Sequence, residues 1–357
     1  MPSSRRRSTP TSSEVALRAG VSRTTVSFVL NDVRSRGISE ETRQKVLDAA
    51  RDLRYEPHAA ARMLAGGRTG TIAVVIPASD HLHVDAYLPR VLATVNDCCH
   101  ALGYKVLLEI ADDQGKSKNA FVNLVRSKRI DGLVVVNPRD DDLPGIRRLV
   151  EQGFPVVVPS NGTESFYTRR TLVDDIACAR LVTEHLVGLG HRRIAHIGFA
   201  STDYVAVRLR QEGYMQILRE HGIEFDPALV EYAAISAQSG YTAMQRLLAR
   251  KVEFTALFAG NDTIAFGAMR ALYEAQLRIP EDVAVVGYDD IPLAAFAVPP
   301  LTTLRIDPVS QGREAVDMLI ARMAGEAYEA PESAYAFELI VRQSCGTPKK
   351  RRNARKP

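Results

Sequence analysis

Between residues 70 and 345 the chain repeats one pattern, a short apolar run followed by a helix-prone segment, and that alternation leaves few folds open. Strand-like runs fall at Ile72–Ile76, Val106–Ile110, Gly132–Val136, Val156–Val158, Ile194–Gly198, Ala256–Phe258 and Val283–Gly287. Helical segments separate most of them, which predicts βαβ units and an α/β body built on parallel sheet.

At 357 residues the chain exceeds one ordinary core; at roughly 100–200 residues per domain, two or three domains are expected. Its 46% hydrophobic and 25% charged residues suit a soluble globular protein. No apolar run approaches the roughly 18 residues that would span a bilayer. The polar stretch Met1–Thr11 carries Arg5, Arg6 and Arg7 with no apolar segment after them, so a secretory signal is not expected. The four cysteines, Cys98, Cys99, Cys178 and Cys345, lack CxxC or zinc spacing and read as reduced packing residues of a cytoplasmic protein.

The net charge of +4 hides an asymmetry. Residues 1–68 carry 13 Lys and Arg against 7 Asp and Glu, residues 69–341 carry 26 against 35, and residues 342–357 carry 7 basic groups and no acid. A basic head on an acidic body fits a chain in which only the head approaches phosphates, although charge runs are also common on plain solvated faces.

The head supplies a motif. Thr11-Ser-Ser-Glu14 has the form of a capping box, and Gly20 breaks the short helix it opens. Ser22 can cap a second helix, Arg23 to Asn31, whose Val26, Val29 and Leu30 form one buried stripe. Arg23, Thr24, Ser27 and Phe28 are then left on the opposite face. Two short helices joined by a glycine-containing turn make a helix-turn-helix, whose second helix enters the major groove. Ser39 opens a third helix with Glu40 and Glu41 in its first turn, where acids suit the dipole. Val46, Ala49, Ala50 and Leu53 give its inward stripe.

These segments resemble the LacI/GalR family of bacterial transcription regulators. The resemblance rests on Glu14-Val-Ala-Leu-Arg-Ala-Gly-Val-Ser-Arg-Thr-Thr-Val-Ser-Phe-Val-Leu-Asn31, Ser39-Glu-Glu-Thr-Arg-Gln-Lys-Val-Leu47 and Leu53-Arg-Tyr-Glu-Pro57, and it continues from Arg68-Thr-Gly-Thr-Ile-Ala-Val-Val-Ile-Pro77 to about Arg342. It implies that Arg23 and Thr24 read bases, and that Ser22 and Ser27 contact phosphate or base edges. Where the family often has an arginine that grips guanine, this chain has Phe28. That ring can touch a thymine methyl or pack against its neighbours.

Pro57-His-Ala-Ala-Ala-Arg-Met-Leu-Ala65, ended by Gly66 and Gly67, is too short to hold as an isolated helix. The resemblance makes it a hinge helix that pairs with a second copy in the minor groove, with Leu64 as the wedge between base steps and Ala61 in close contact.

For the body the resemblance implies two lobes like those of periplasmic sugar-binding proteins, crossed three times near residues 160, 292 and 328. The effector then sits beyond the carboxyl ends of the strands. Arg210, in Arg208-Leu-Arg-Gln-Glu-Gly-Tyr214, is the implied effector-binding arginine. Asn261, in Gly260-Asn-Asp-Thr-Ile-Ala-Phe-Gly267, and Asp289, in Gly287-Tyr-Asp-Asp290, each follow a strand; they either face the cleft or cap the next segment. An arginine, an amide and a carboxylate together suit a hydroxylated ligand, a sugar or sugar derivative. Ile235 stands where relatives place a stacking aromatic, and the loop Ala78–Tyr87 departs from the common pattern. His81 and His83 lack the cysteine or acidic partners of a metal site, and no cofactor is expected.

The expected organisation is therefore a basic N-terminus at 1–10, a helix-turn-helix domain at 11–56, a hinge and linker at 57–69, a sensing body at 70–345 and a basic tail at 346–357. Within the body, lobe 1 takes about 70–160 and 293–328, and lobe 2 about 161–292 and 329–345. The tail has no leucine heptad, so a homodimer held by the bodies is expected rather than a tetramer; its six basic residues can add weak DNA contact or simply solubilise. GxxxxGK[ST], a GxGxxG after the first strand, HExxH and GxSxG are all missing, which argues against an enzyme. The reading that uses every segment is an effector-controlled regulator, a repressor in most members, bound to near-palindromic operator DNA at the nucleoid. Whether the effector releases or promotes DNA binding is left open by the sequence.

Overall fold

Thr11 closes the first helix from both directions. The Glu14 amide donates to Thr11 Oγ1 at 3.4 Å, and the Thr11 amide donates back to Glu14 Oε2 at 2.6 Å. The computed structural model describes residues 10–30, 36–55, 68–77, 81–84, 86–111, 120–159, 173–328, 331 and 336–346. The expected hinge positions Ala61 and Leu64 lie outside the described residues, as does the tail beyond Gly346. The chain divides into two compact units, Met1–Gly70 with Lys128–Ile130, and Thr71–Ser127 with Asp131–Pro357.

In the first unit α1 (Ser12–Ala19) ends at Gly20, whose φ of +67° is a left-handed cap that favours glycine. Ser22 opens α2 (Arg23–Leu30) by accepting from the Thr25 amide at 3.0 Å, and Ser39 opens α3 (Glu40–Asp52) by accepting from Thr42 at 3.2 Å. Val15, Ala16, Val26, Val29, Val46, Ala49 and Ala50 form the buried core, with Leu30, Leu53 and Tyr55 packed at its edge. A 2.7 Å ion pair from Arg18 to Asp52 joins α1 to α3. Both partners are more than half exposed, so it adds at most about 1 kcal/mol and the apolar core holds the helices together.

The second unit contains two sheets. The first has the order β2-β1-β3-β4, from β1 (Thr71–Ile76), β2 (Lys105–Ile110), β3 (Gly132–Val135) and β4 (Val156–Val157), all parallel. After a short turn of helix, α4 (His81–Val84), α5 (Tyr87–Ala101) covers one face; α6 (Ala120–Arg126) and α7 (Leu143–Glu151) precede β3 and β4. The second sheet has the order β10-β9-β8-β7-β5-β6. Its strands are β5 (Ile194–Gly198), β6 (Val230–Tyr232), β7 (Ala256–Ala259), β8 (Ala284–Asp289), β9 (Thr302–Ile306) and β10 (Phe337–Ile340). β10 alone among these runs antiparallel, pairing Phe337 with Ile306 and Ile340 with Thr303.

Helices cover both faces of the second sheet. α8 (Asp175–Gly188) and α9 (Val205–Glu220) bury Cys178, Val182, Leu186, Tyr214 and Ile217 against one side. α10 (Ala237–Ala249) and α11 (Asp262–Glu274) bury Met244, Leu247, Ile264 and Ala268 against the other. This second pair packs backbone to backbone: a Cβ on Gly267 would overlap the Ala237 carbonyl, and one on Gly240 would overlap that of Ile264. Side chains larger than hydrogen are therefore excluded at both crossings.

The second crossover corrects the expected lobe boundary. Residues 293–306 were expected in the first lobe, yet Ala294 and Leu301 lie in the core of the second sheet and β9 pairs with β8. The chain leaves this sheet only at Asp307, which caps α12 (Pro308–Ala324); Ala315, Val316 and Leu319 then pack on the first sheet beside Val91 and Val95. The third crossing falls between Ala324 and Phe337, and the first lies in 160–172, outside the described residues. Among the described residues no helix is long and apolar enough to cross a membrane.

Candidate functional site

In the head, the α2 stripe of Val26 and Val29 turns inward and leaves Arg23 and Thr24 exposed. Ser22 is exposed beside the first turn, its hydroxyl 2.9 Å from Thr25 Oγ1. Ser27 and Phe28 are half-buried. At 100° per residue, Thr24 and Phe28 lie one turn apart on the same side, opposite the core stripe. Arg23, Thr24, Ser27 and Phe28 thus lie off the core stripe of a short helix, with Ser22 just before its first turn. Phe28 has a neighbour that the sequence did not announce: the Arg36 guanidinium carbon stands 5.4 Å from its ring centroid.

In the body, a cavity opens where strands of both sheets end. Asn137 follows β3 and Pro159 follows β4, while Phe199 follows β5, Asn261 follows β7, and Asp289 and Ile306 end β8 and β9; all line it. This is where ligands gather in parallel α/β sheets, because loops there diverge above the strand ends.

Arg210, which lines the cavity, is held by two hydrogen bonds and two aromatic rings. Its Nε donates to Asp175 Oδ1 at 2.8 Å and its Nη1 to the Gly260 carbonyl at 2.6 Å. Its guanidinium carbon lies 3.5 Å from the Tyr288 ring centroid and 4.7 Å from that of Phe199. Burial works against its charge, but Tyr288, Asp175 and Asp289 outweigh that penalty and hold its pKa above the ordinary arginine value. Tyr288 also donates to Asp175 Oδ1 at 3.1 Å.

Asn261 does two things at once. Its Oδ1 caps α11 by accepting from the Ile264 amide at 2.8 Å, and the residue lines the cavity. Asp289 has φ +105°, a conformation that costs a non-glycine residue free energy and needs support from its surroundings. The support comes from the two residues that follow it. Asp290 takes Arg342 at 2.6 Å and Arg305 at 2.7 Å, and the Ile291 amide donates to Asp262 Oδ2 at 2.9 Å. Thr303 Oγ1 donates to the other Asp262 oxygen at 2.6 Å. Burial raises the Asp262 carboxyl to about 7 despite these hydrogen bonds.

The cavity therefore brings together Arg210, Asn261 and Asp289, and adds residues that sequence reasoning missed. Asp175 follows the helix cap Asp174, and neither periodicity nor spacing marks it as fully buried. Ile235 lines the cavity as an aliphatic wall, and Tyr87 and Phe199 supply aromatic faces.

Residues 11–58 match the bacterial regulatory proteins, lacI family, and residues 183–345 match the periplasmic binding protein-like domain. The HTH-type transcriptional regulator CelR of Thermobifida fusca is 35% identical over 343 residues, 95% of this chain and 99% of the relative. The HTH-type transcriptional repressor PurR of Haemophilus influenzae is 34% identical over 339 residues, covering 93% and 97%. A lac repressor dimer bound to operator and the anti-inducer ONPF superposes with a TM-score of 0.77 at 30% identity, covering 95% of this chain and 99% of that one. A CelR–cellobiose complex does so with a TM-score of 0.65 at 33% identity, covering 94% and 99%. These matches define a two-part protein, a helix-turn-helix reader joined to a ligand-binding body. The chain belongs to the LacI family: it is a DNA-binding transcription regulator, not an enzyme.

Proposed function

We propose that the chain acts as a homodimer on a near-palindromic operator, and that a neutral sugar in the body cavity controls its grip. The observation that carries the effector reading is the pairing of Arg210 with the buried carboxylate of Asp175. A guanidinium paired with a buried carboxylate and packed on the rings of Tyr288 and Phe199 has its charge largely balanced before any phosphate arrives. It offers directed hydrogen bonds, which suit hydroxyl groups beside the amide of Asn261 and the carboxylate of Asp289. A CelR structure in complex with cellobiose makes that disaccharide the first ligand to try.

On the DNA side, Arg23 and Thr24 read bases in the major groove, while Ser22 and Ser27 touch phosphate or base edges. Ala61 and Leu64 serve as the hinge contacts in the minor groove, Leu64 as the wedge. The organisation is a head at 11–56, a hinge and linker at 57–69 and a body from 70 to 345, with its second crossover at Asp307. Ligand-driven closure of the cavity resets the paired bodies, and an effect of about 1–3 kcal/mol on operator affinity is enough to switch a promoter. Such a regulator works in the cytoplasm, at the nucleoid.

Operator selection tests this: full-length protein, a random duplex library, and sequencing of what stays bound at moderate salt. The selected duplex is then titrated with cellobiose and a panel of neutral and phosphorylated sugars. A near-palindrome with a fixed centre, released or tightened by a neutral sugar, is the expected result. Featureless enrichment lost in salt overturns the operator reading, and a response to phosphorylated sugars alone overturns the effector class.

A further inference from the structure

Phe28 occupies the middle of the outward face of α2 yet carries no donor or acceptor, so by itself it cannot distinguish guanine from other bases by hydrogen bonding. The structure places a donor beside it. Arg36 enters from the turn that precedes α3, and its guanidinium carbon stands 5.4 Å from the Phe28 ring centroid. Arg36 is exposed, and among the described residues it forms no ion pair. Phe28 is half-buried although it faces away from the core stripe. A guanidinium held over an aromatic face gains from the ring quadrupole and loses rotamer freedom, while its N–H edge stays available.

We propose that Arg36, supported by the Phe28 ring, is a base-reading residue that donates to the O6 and N7 acceptors of a guanine in each operator half-site. The aromatic ring and the arginine then act as one composite reader, assembled from α2 and the turn before α3 rather than carried on α2 alone. The inference rests on α2 lying in the major groove. Planarity is essential to it, since the paired acceptors of guanine match a fork of two N–H donors and not a single ammonium.

The test is operator selection with the full-length wild type, Arg36→Ala, Arg36→Lys and Phe28→Ala, with melting temperatures confirming that each variant is folded. For the wild type, a guanine is expected at one position per half-site. Arg36→Ala should remove that preference, a discrimination of roughly 5- to 100-fold, while positions read by Arg23 and Thr24 persist. Arg36→Lys should fail to restore it, and Phe28→Ala should weaken the same position. Three results overturn the proposal. The Arg36→Ala sequence preference could match the wild type with a shallower salt dependence, as for a phosphate contact; lysine could substitute fully; or the wild-type half-site could hold no guanine that responds. A wild type that selects no operator at all removes the groove reading on which the inference stands.

Discussion

Asp175 Oδ1 accepts from Arg210 Nε at 2.8 Å, with the Asp175 side chain fully buried and that of Arg210 only 9% exposed. The pair joins the first turn of α8 to the middle of α9, and Tyr288 ties the same oxygen to the end of β8. One carboxylate oxygen thus fixes the orientation of a guanidinium that forms part of the cavity wall.

Removing one member of a buried pair leaves the other charged and unsolvated, at a cost of about 3–5 kcal/mol. Asp175→Ala should lose that much in urea unfolding. The double variant Asp175→Ala/Arg210→Met should recover part of it, because no orphan charge remains. If the two single losses simply add, with no coupling energy, the pair does not stabilise the fold in the way its geometry implies.

His196 makes the acid limb of stability predictable. Its ring is buried between Tyr214 and Phe258, with Nδ1 3.0 Å from the Phe258 carbonyl. Burial, aided by the nearby Arg210 charge, depresses its pKa from 6.5 to about 4, against the hydrogen bond to Phe258. The unfolded chain therefore binds the proton first, and stability falls as pH drops from about 6.5 to about 4, by a few kcal/mol at most. No contribution is expected above pH 7. Urea midpoints from pH 4.5 to 7.5 for wild type and His196→Phe should show a shallower slope for the variant. Parallel slopes would assign the acid sensitivity to the carboxylates instead.

The head was legible because its helices are short, amphipathic and capped by named residues; Val26, Val29, Val46, Ala49 and Ala50 fall where the stripes place them. The body was legible where strands are long apolar runs. β6 is only three residues long, β10 is a half-exposed edge, and β9 begins with Thr302 and Thr303 after two prolines, so none stands out as an apolar run. The second crossover, which the resemblance put near residue 292, falls at Asp307 because β9 stays in the second sheet beside β8. At the cavity, Arg210, Asn261 and Asp289 sit in recognisable motifs, whereas Asp175 becomes visible only when α8 and α9 are packed together. Arg36 lies eight positions from Phe28, and no periodicity connects them.

A dimer held by the bodies should use their exposed apolar side chains. Leu293, Phe296 and Val298 are 63%, 80% and 93% exposed in the turn before β9, and Leu108 and Ile110 are exposed on edge strand β2. Large apolar side chains left this exposed are the first places to look for an interaction surface. Phe296→Asp with Val298→Asp should shift sedimentation from dimer to monomer at micromolar concentration and weaken operator binding at least tenfold. A variant that stays dimeric would move the interface elsewhere.

Asn261 can be asked which of its two positions in the fold carries function. Serine at this site keeps a side-chain oxygen for the Ile264 amide, since serine caps helices about as well as asparagine, but it lacks the amide group that would meet a ligand in the cavity. Alanine removes the cap as well. Asn261→Ser should therefore stay within about 1 kcal/mol of wild type, and Asn261→Ala should lose about 1 kcal/mol more. If the amide binds the effector, both variants should need at least ten times more sugar to change operator affinity, despite their different stabilities. If the residue only caps α11, the serine variant will respond to effector like the wild type, and Asn261 must be withdrawn from the binding site.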